Sequence, residues 1–275
     1  MKNNGITEYF EEVETEEEYN GYFCSIPEII TIAILGSMCG LKNVSQIHQW
    51  ASNDRVSEFL REKFGINHVP CYYWILCMLK MIKTETLNRC FANWVYSFMP
   101  ENAKDMTISL DGKTICSTNR IEKIESPLHI ISAQISELGL TLAQCSTDDK
   151  SNEIPAVQEL LKTLNIKGHV VVADALNCQK ETASIIVKQE ADYLLCVKDN
   201  HPVLKKDIED YVQDSMLQNT MSFISKTEKN YGRIETRTAY VTSQIEWLEQ
   251  RKEWKNLCCI GAIHTEFDTK KRKIK

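Results

Sequence analysis

The sequence lacks an uninterrupted apolar run long enough to cross a membrane. Its longest apolar stretch, residues 26–41, is broken by Glu28 and is shorter than the roughly 20 residues that a spanning helix needs. The first 18 residues are rich in glutamate and have no apolar core, which excludes a secretory signal of the usual kind. We therefore expect no membrane partner and a cytoplasmic location.

The cysteine spacing of a zinc site is missing too. None of the 11 cysteines forms a Cys-x-x-Cys pair, and Cys258 and Cys259 are adjacent, which is a poor geometry for two ligands of one tetrahedral ion. The cysteines are scattered through apolar runs such as residues 194–197, so we expect reduced, buried thiols and no disulfide framework.

An excess of positive charge is also absent. The 275 residues include 32 Lys and Arg against 38 Asp and Glu, which gives a formal net charge of -6. Proteins that coat nucleic acid by bulk electrostatics are basic, so any contact of this chain with DNA must be local. The 43% hydrophobic content is enough to fill the core of one large domain or two ordinary ones.

The first part of the chain has the apolar periodicity of helices. Ser25 followed by Glu28 predicts a capping box at the start of the first helix. A second helix is predicted over residues 44–64, with Gly65 after its end, and a third over residues 72–98. We expect an all-α amino-terminal domain over residues 1–104.

The second part, residues 105–275, has an α/β pattern. Strands are predicted at 106–110, 129–136 and 140–147, then a helix at 153–164 capped by Ser151 or Asn152, a strand at 169–173, a helix at 179–190 and a strand at 193–197. Three antiparallel strands, helix, strand, helix, strand is the succession of a ribonuclease-H-like mixed sheet with flanking helices, although other mixed sheets could share it.

Two carboxylates stand at the carboxyl ends of predicted strands, Asp111 after the first and Asp174 after the fourth. If these strands are neighbours, the two side chains repel each other unless cations lie between them. Mg²⁺ prefers such hard oxygen ligands, and a pair of ions promotes phosphoryl transfer. The alternative is that each Asp only ends a strand and begins a turn, because Asp-Gly is a common turn dipeptide.

Six segments between residues 105 and 237 carry a family resemblance. They are Ile-Ser-Leu-Asp-Gly-Lys-Thr at 108–114, His-Ile-Ile-Ser-Ala at 129–133, Lys-Ser-Asn-Glu-Ile at 150–154, Ala-Asp-Ala-Leu-Asn-Cys-Gln-Lys at 173–180, Asp-Tyr with Val-Lys-Asp-Asn within 192–200, and Tyr-Gly-Arg-Ile-Glu-Thr-Arg at 231–237. In this order they resemble the H-repeat-associated transposases, a branch of bacterial insertion-sequence enzymes of the Asp-Asp-Glu class. The helical part looks like the domain that precedes the catalytic core in this family.

The resemblance implies an enzyme that cuts and joins transposon-end DNA with Mg²⁺ or Mn²⁺ and that is a homo-oligomer when active. Asp111 and Asp174 would be its first and second acids and its metal ligands. Phosphate contacts would come from polar side chains in the shared segments, each of which could equally be solvated surface. These candidates are Lys150, Asn152, Lys198 and Arg233.

The third acid departs from the family pattern. The family has it on a late helix in a Trp-x-Ile-Glu-Asn-like setting, after a β region inserted from about residue 220, and no such segment precedes Lys275. We therefore expect a domain incomplete at its carboxyl end, which could be inactive. Glu235 is a candidate substitute, but its alternation with Arg233 and Arg237 favours a paired charge in the inserted sheet. Asn200-His201 also departs from the family, which usually has Asn-Gln.

Two other functions stay open. The first is a non-catalytic remnant that binds DNA or dimerises and needs only the helical part. The second is a ribonuclease-H-like nuclease unconnected with transposition, which would need a complete set of acids and could use Glu235.

Overall fold

The computed structural model describes residues 5–17, 23–99, 105–115, 129–147, 152–230 and 233–268. The chain divides into two compact units, Met1–Val170 and Val171–Lys275. The predicted domain boundary falls beside residues 100–104, which lie outside the described residues, and it stays a prediction. No helix in the described ranges is long and apolar enough to span a membrane.

The amino-terminal part is helical, as predicted. A 3₁₀ helix at Ile6–Phe10 precedes α1 (Ile26–Met38), α2 (Val44–Ala51), α3 (Asp54–Phe64), α4 (Tyr72–Met81) and α5 (Thr84–Tyr96). The predicted capping box is confirmed, since Ser25 and Glu28 each accept the backbone N–H of the other with their side chains. Apolar residues from several helices form the core here: Phe10, Ile29, Ile30, Ile75, Met78 and Cys90.

Two predicted helices are wrong in their length. The segment 44–64 is broken because Asn53 begins α3 as a new helix, its side chain accepting the N–H of Arg55. The segment 72–98 is broken at Ile82, whose backbone is extended, and the next residue, Lys83, donates its N–H to the carbonyl of Glu14. A side-chain cap and a long-range backbone contact therefore override a periodicity that continues through both breaks.

The predicted α/β succession is confirmed. It consists of β1 (Thr107–Thr114), β2 (His129–Ile135), β3 (Leu140–Thr147), α6 (Glu153–Thr163), β4 (Val170–Ala173), α7 (Lys180–Lys188) and β5 (Asp192–Leu195). The sheet order is β3-β2-β1-β4-β5, with β2 antiparallel to β1 and to β3. The starts of β1 and β4 lie side by side, because Val170 donates its N–H to the carbonyl of Met106 at 3.0 Å. This mixed sheet with its helices is a ribonuclease-H-like α/β fold.

Two local predictions in this part are wrong. β1 does not end at Leu110 but continues to Thr114, so Asp111-Gly112 is not a turn; Asp111 pairs with Ser132 of β2. Hydrogen bonding between the strands overrides the turn preference of the dipeptide. Asn152 precedes α6 but makes no capping hydrogen bond with its side chain, and Ser151, the other predicted cap, lies outside the described residues.

A second, smaller sheet follows. After α8 (Pro202–Gln213) and α9 (Ser215–Gln218), the strands β6 (Ser222–Asn230), β7 (Arg233–Thr242) and β8 (Ile260–Asp268) form an antiparallel sheet in that order. A 3₁₀ helix, Glu249–Glu253, lies between β7 and β8. The buried residues of this unit include Leu204, Tyr211, Met221, Ile245, Leu248 and Trp254. β6 begins close to the predicted start of an inserted β region.

Candidate functional site

Asp111 lies on the open face of β1. Side chains alternate between the two faces of a strand, and Ile108 and Leu110 are buried on one face. Asp111 belongs to the other face, and its side chain is 65% exposed. The ammonium group of Lys113, on the same face, is 3.7 Å from Asp111 Oδ2 and is itself exposed. The carboxylate of Asp111 is therefore accessible to solvent and to ligands.

Polar residues continue the row of Asp111 across the sheet. Asp111 pairs with Ser132 of β2, which pairs with Gln144 of β3, and Gln144 Nε2 donates a hydrogen bond to Ser132 Oγ at 3.0 Å. Asn88 of α5 holds the backbone of Gln144 by hydrogen bonds to its carbonyl and from its N–H. This face of the sheet thus presents a carboxylate, a hydroxyl and an amide in one row.

The opposite face of β1 covers a buried polar pair. His129 Nε2 of β2 lies 2.8 Å from Glu153 Oε2 at the start of α6, and both side chains are about 95% buried. Thr114 Oγ1 is 3.1 Å from the other ring nitrogen, Nδ1. Gly112 lies against the pair: a Cβ atom at this position would be 2.8 Å from His129 Nε2 and 3.0 Å from Glu153 Oε2.

Asp174 immediately follows β4 and is exposed, as predicted for a residue at a strand end. Its Oδ1 atom accepts a hydrogen bond from the backbone N–H of Asn177 at 3.3 Å and another from the Asn177 side-chain amide at 3.1 Å. Asn177 is buried. Because the amide that holds it cannot move freely, the Asp174 carboxylate has a fixed direction.

Two residues that follow β5 form hydrogen bonds with the backbone of the loop that carries Asp174. Asn200 donates from Nδ2 to the carbonyl of Ala175 at 2.6 Å. His201 Nε2 is 2.7 Å from the carbonyl of Cys178, so this nitrogen carries the proton. Two side chains thus tie down the backbone on either side of Asn177.

Comparison with known proteins gives the family. The family described as "Transposase DDE domain" matches residues 128–256, and the one described as "DDE_Tnp_1-associated" matches residues 7–95. An Escherichia coli (strain K12) protein, "H repeat-associated putative transposase YbfD", is 31% identical over 77% of this chain and 83% of its own length. The chain belongs to the DDE transposase family. The H-repeat-associated resemblance is thereby confirmed.

Other relatives of this transposase-family chain are longer. The Escherichia coli (strain K12) "H repeat-associated putative transposase YhhI" is 31% identical over 84% of this chain but only 61% of its own length. A solved piggyBac transposase synaptic complex with hairpin DNA aligns with 82% of this chain and 52% of its own, at 8% identity and a TM-score of 0.32, a similarity too low to inform the fold. The matched transposase domain includes Asp174 and begins after Asp111.

The structure describes only some of the predicted phosphate-binding residues. Asn152 and Lys198 are exposed, and Lys198 donates its backbone N–H to Asn200 Oδ1. Lys150 and the side chain of Arg233 lie outside the described residues. These four assignments stay predictions.

Glu235 is a paired charge, as the sequence pattern favours. Its Oε1 atom accepts hydrogen bonds from Arg237 Nε at 2.7 Å and from Arg237 Nη2 at 2.6 Å, and its side chain is only 7% exposed. In the described ranges no group of three or more His, Cys, Asp or Glu side chains could hold a metal ion.

Sequence reasoning missed two contacts, that of Asn177 with Asp174 and that of the buried pair behind β1. One of them had a signal: Asp174 and Asn177 have the Asp-x-x-Asn spacing at which a side chain bonds to the backbone of the following turn. The pairing of His129 with Glu153 had none, because the two residues are 24 positions apart and meet only when α6 packs on the sheet.

Proposed function

We propose that this chain is a DNA transposase that cuts and joins transposon-end DNA by phosphoryl transfer, with Asp111 and Asp174 as its metal-binding acids. One observation carries the proposal beyond family membership. Asp111 is an exposed carboxylate within β1, and Asp174 is an exposed carboxylate directly after β4, the neighbour of β1 in the sheet order.

The donor chemistry of the two side chains fits Mg²⁺ or Mn²⁺. Both are carboxylates, the hard oxygen donors that these ions prefer, and Mg²⁺ commonly takes one or two protein carboxylates and fills its other positions with water and substrate phosphate. Both hydrogen bonds from Asn177 go to Oδ1 of Asp174, which also fixes the direction of Oδ2. Bound metal would supply activation of the attacking oxygen and neutralise charge on the departing one.

The protein side chains then have separate tasks. Asp111 and Asp174 hold the ions, and Asn177 keeps Asp174 oriented. Lys150, Asn152, Lys198 and Arg233 are proposed to bind phosphates and place the DNA, first for attack by water and then for attack by a 3′-hydroxyl. We propose a homo-oligomer for the active form, and the cytoplasmic location stays a prediction.

The test is cleavage of a duplex carrying the transposon end that flanks the gene, in Mg²⁺ or Mn²⁺. Asp111→Ala and Asp174→Ala should each lower the cleavage rate by about two orders of magnitude or more, since each removes charge placed at the reacting phosphate. Asp210→Ala, which removes an exposed carboxylate from α8, is the matched control and should cut at the wild-type rate. Cutting that survives Asp111→Ala would refute the assignment.

A chain that binds transposon ends without cutting them is the second candidate. Glu235, the candidate third acid, is already engaged in an ion pair with Arg237. This favours a chain that binds DNA without cutting it. This function predicts salt-sensitive binding to the end duplex, no cleavage in either metal, and binding unchanged by Asp174→Ala.

A further inference from the structure

The strand that carries Asp111 lies directly on a buried, hydrogen-bonded pair of side chains. His129 and Glu153 are 2.8 Å apart and come from β2 and α6, and Gly112 of β1 lies against both. Thr114, two residues further along β1, is hydrogen-bonded to the same imidazole. One buried pair thus joins β2 and α6 and contacts β1 on either side of Lys113.

We propose that His129 and Glu153 are positioning residues that hold β1 in the one register in which Asp111 faces outward. The inference rests on the proposed function, because it gives the pair a role in the same site. The pair does not touch the reacting groups and acts only through the strand.

The close contact with Gly112 lets the pair favour one register of β1 over others. Even a methyl group at position 112 would approach the imidazole to 2.8 Å and the carboxylate to 3.0 Å, closer than side-chain atoms normally come. A one-residue slip of β1 would place Asp111 or Lys113 there and would also turn every side chain of the strand to the other face. A larger side chain at this position would push the imidazole and the carboxylate aside, which disfavours the shifted registers.

The hydrogen bond between His129 and Glu153 is needed for this fit. A buried polar group that loses its partner becomes costly, so without Glu153 the His129 imidazole or the strand moves to find water. Glu153→Gln keeps the length and one acceptor oxygen, so it retains the contact with the imidazole. Glu153→Ala removes the contact and leaves space behind Gly112.

The experiment compares Glu153→Ala, Glu153→Gln and Gly112→Ala with the wild-type chain by two measurements. Hydrogen exchange followed by mass spectrometry reports opening of residues 109–114 whether or not the protein is active. Cleavage kinetics on the transposon-end duplex report kcat and KM. Leu142→Ala, which removes a buried side chain from β3, is the control for a general loss of stability in the same sheet.

We expect Glu153→Ala to raise exchange in residues 109–114 about tenfold more than Leu142→Ala does. Its kcat should fall roughly ten- to a hundredfold while KM stays within about twofold, because the metal site shifts and the DNA contacts remain. Glu153→Gln should recover most of both losses. Gly112→Ala and Glu153→Ala should combine less than additively, because removal of the Glu153 side chain opens the space that a methyl group at position 112 would occupy.

The results separate this inference from the proposed function. Unchanged exchange in residues 109–114 of Glu153→Ala would overturn the positioning role, whatever the activity. Cleavage that depends on Asp111 but is equally fast in Glu153→Ala and wild type would do the same and leave the proposed function standing. Raised exchange in a chain that never cleaves would refute the proposed function and retain the register role.

Discussion

Asn177 donates two hydrogen bonds to one oxygen of Asp174, one from its backbone and one from its side chain, at 3.3 and 3.1 Å. The backbone hydrogen bond survives any substitution of Asn177 that keeps the turn, whereas the side-chain hydrogen bond requires the Asn177 amide. Their combination fixes the rotation of the carboxylate about its last bond. The direction of Asp174 is therefore set by a residue that itself lies out of solvent.

Asn177→Ala should weaken catalysis more than DNA binding. Loss of the side-chain bond lets the Asp174 carboxylate rotate, and a displacement of about 1 Å in a catalytic group can cost on the order of a hundredfold in rate. We expect kcat for end cleavage to fall roughly ten- to a hundredfold with KM nearly unchanged. Asn88→Ala, which removes hydrogen bonds to the backbone of β3, is the control. An equal fall of kcat in the two variants would contradict this specific role of Asn177 and indicate general loosening of the protein.

His201→Gln should be tolerated and His201→Ala should not. The imidazole donates to the carbonyl of Cys178, and a glutamine amide can donate the same bond. Urea denaturation should show a loss of about 1 kcal/mol for His201→Ala, the usual net value of one hydrogen bond, and a smaller loss for His201→Gln. A larger loss for glutamine than for alanine would contradict this role.

Glu137 should contribute stability at neutral pH that disappears in acid. Hydrogen bonds from Thr107, followed by the backbone N–H of Glu137 itself, hold the pKa of this carboxyl below its usual value. A lowered pKa in the folded state means that the contribution is complete above the unfolded pKa and is lost as the pH falls through the folded one.

The measurement compares wild type with Glu137→Gln by thermal unfolding from neutral pH down to pH about 3. The difference in midpoint should be largest at neutral pH and should shrink towards acid, because the wild-type carboxyl becomes protonated. A difference that stays constant over this range would show that the charge of Glu137 does not stabilise the start of β1.

Ser25→Ala should destabilise the helical part by about 1 kcal/mol, the typical cost of removing a helix cap. The capping box joins Ser25 and Glu28 and satisfies backbone N–H groups at the start of α1. Ser37→Ala is the control, since this exposed hydroxyl bonds only to a carbonyl within the same helix. Equal urea midpoints for the two variants would rule out the capping role.

Local signals explain which elements were predictable from the sequence. The capping box at Ser25 and Gly65 after α3 depend on residues three or fewer positions apart, and both were predicted. The break before α3 had a local signal as well, in Ser52-Asn53-Asp54, but the apolar periodicity on both sides of it outweighed the cap. The order of strands and helices followed from the pattern of each segment taken alone.

Long-range contacts explain what was missed. Asp111-Gly112 has the composition of a turn, yet pairing with β2 continues the strand to Thr114. Gly112 is used for its lack of a Cβ atom against His129 and Glu153, not for turning the chain. Contacts of this kind depend on how α6 packs on the sheet. They join residues far apart in the sequence, so no short stretch of sequence reveals them.

The most direct test of the central claim is metal-directed cutting of the protein itself. Fe²⁺ bound in place of Mg²⁺, with ascorbate and peroxide, cleaves the backbone close to the ion. If Asp111 and Asp174 share divalent ions, cuts should appear near both residues, Mg²⁺ should suppress them together, and either Asp111→Asn or Asp174→Asn should abolish both. Cutting at one residue that persists after the other is replaced would contradict a shared site.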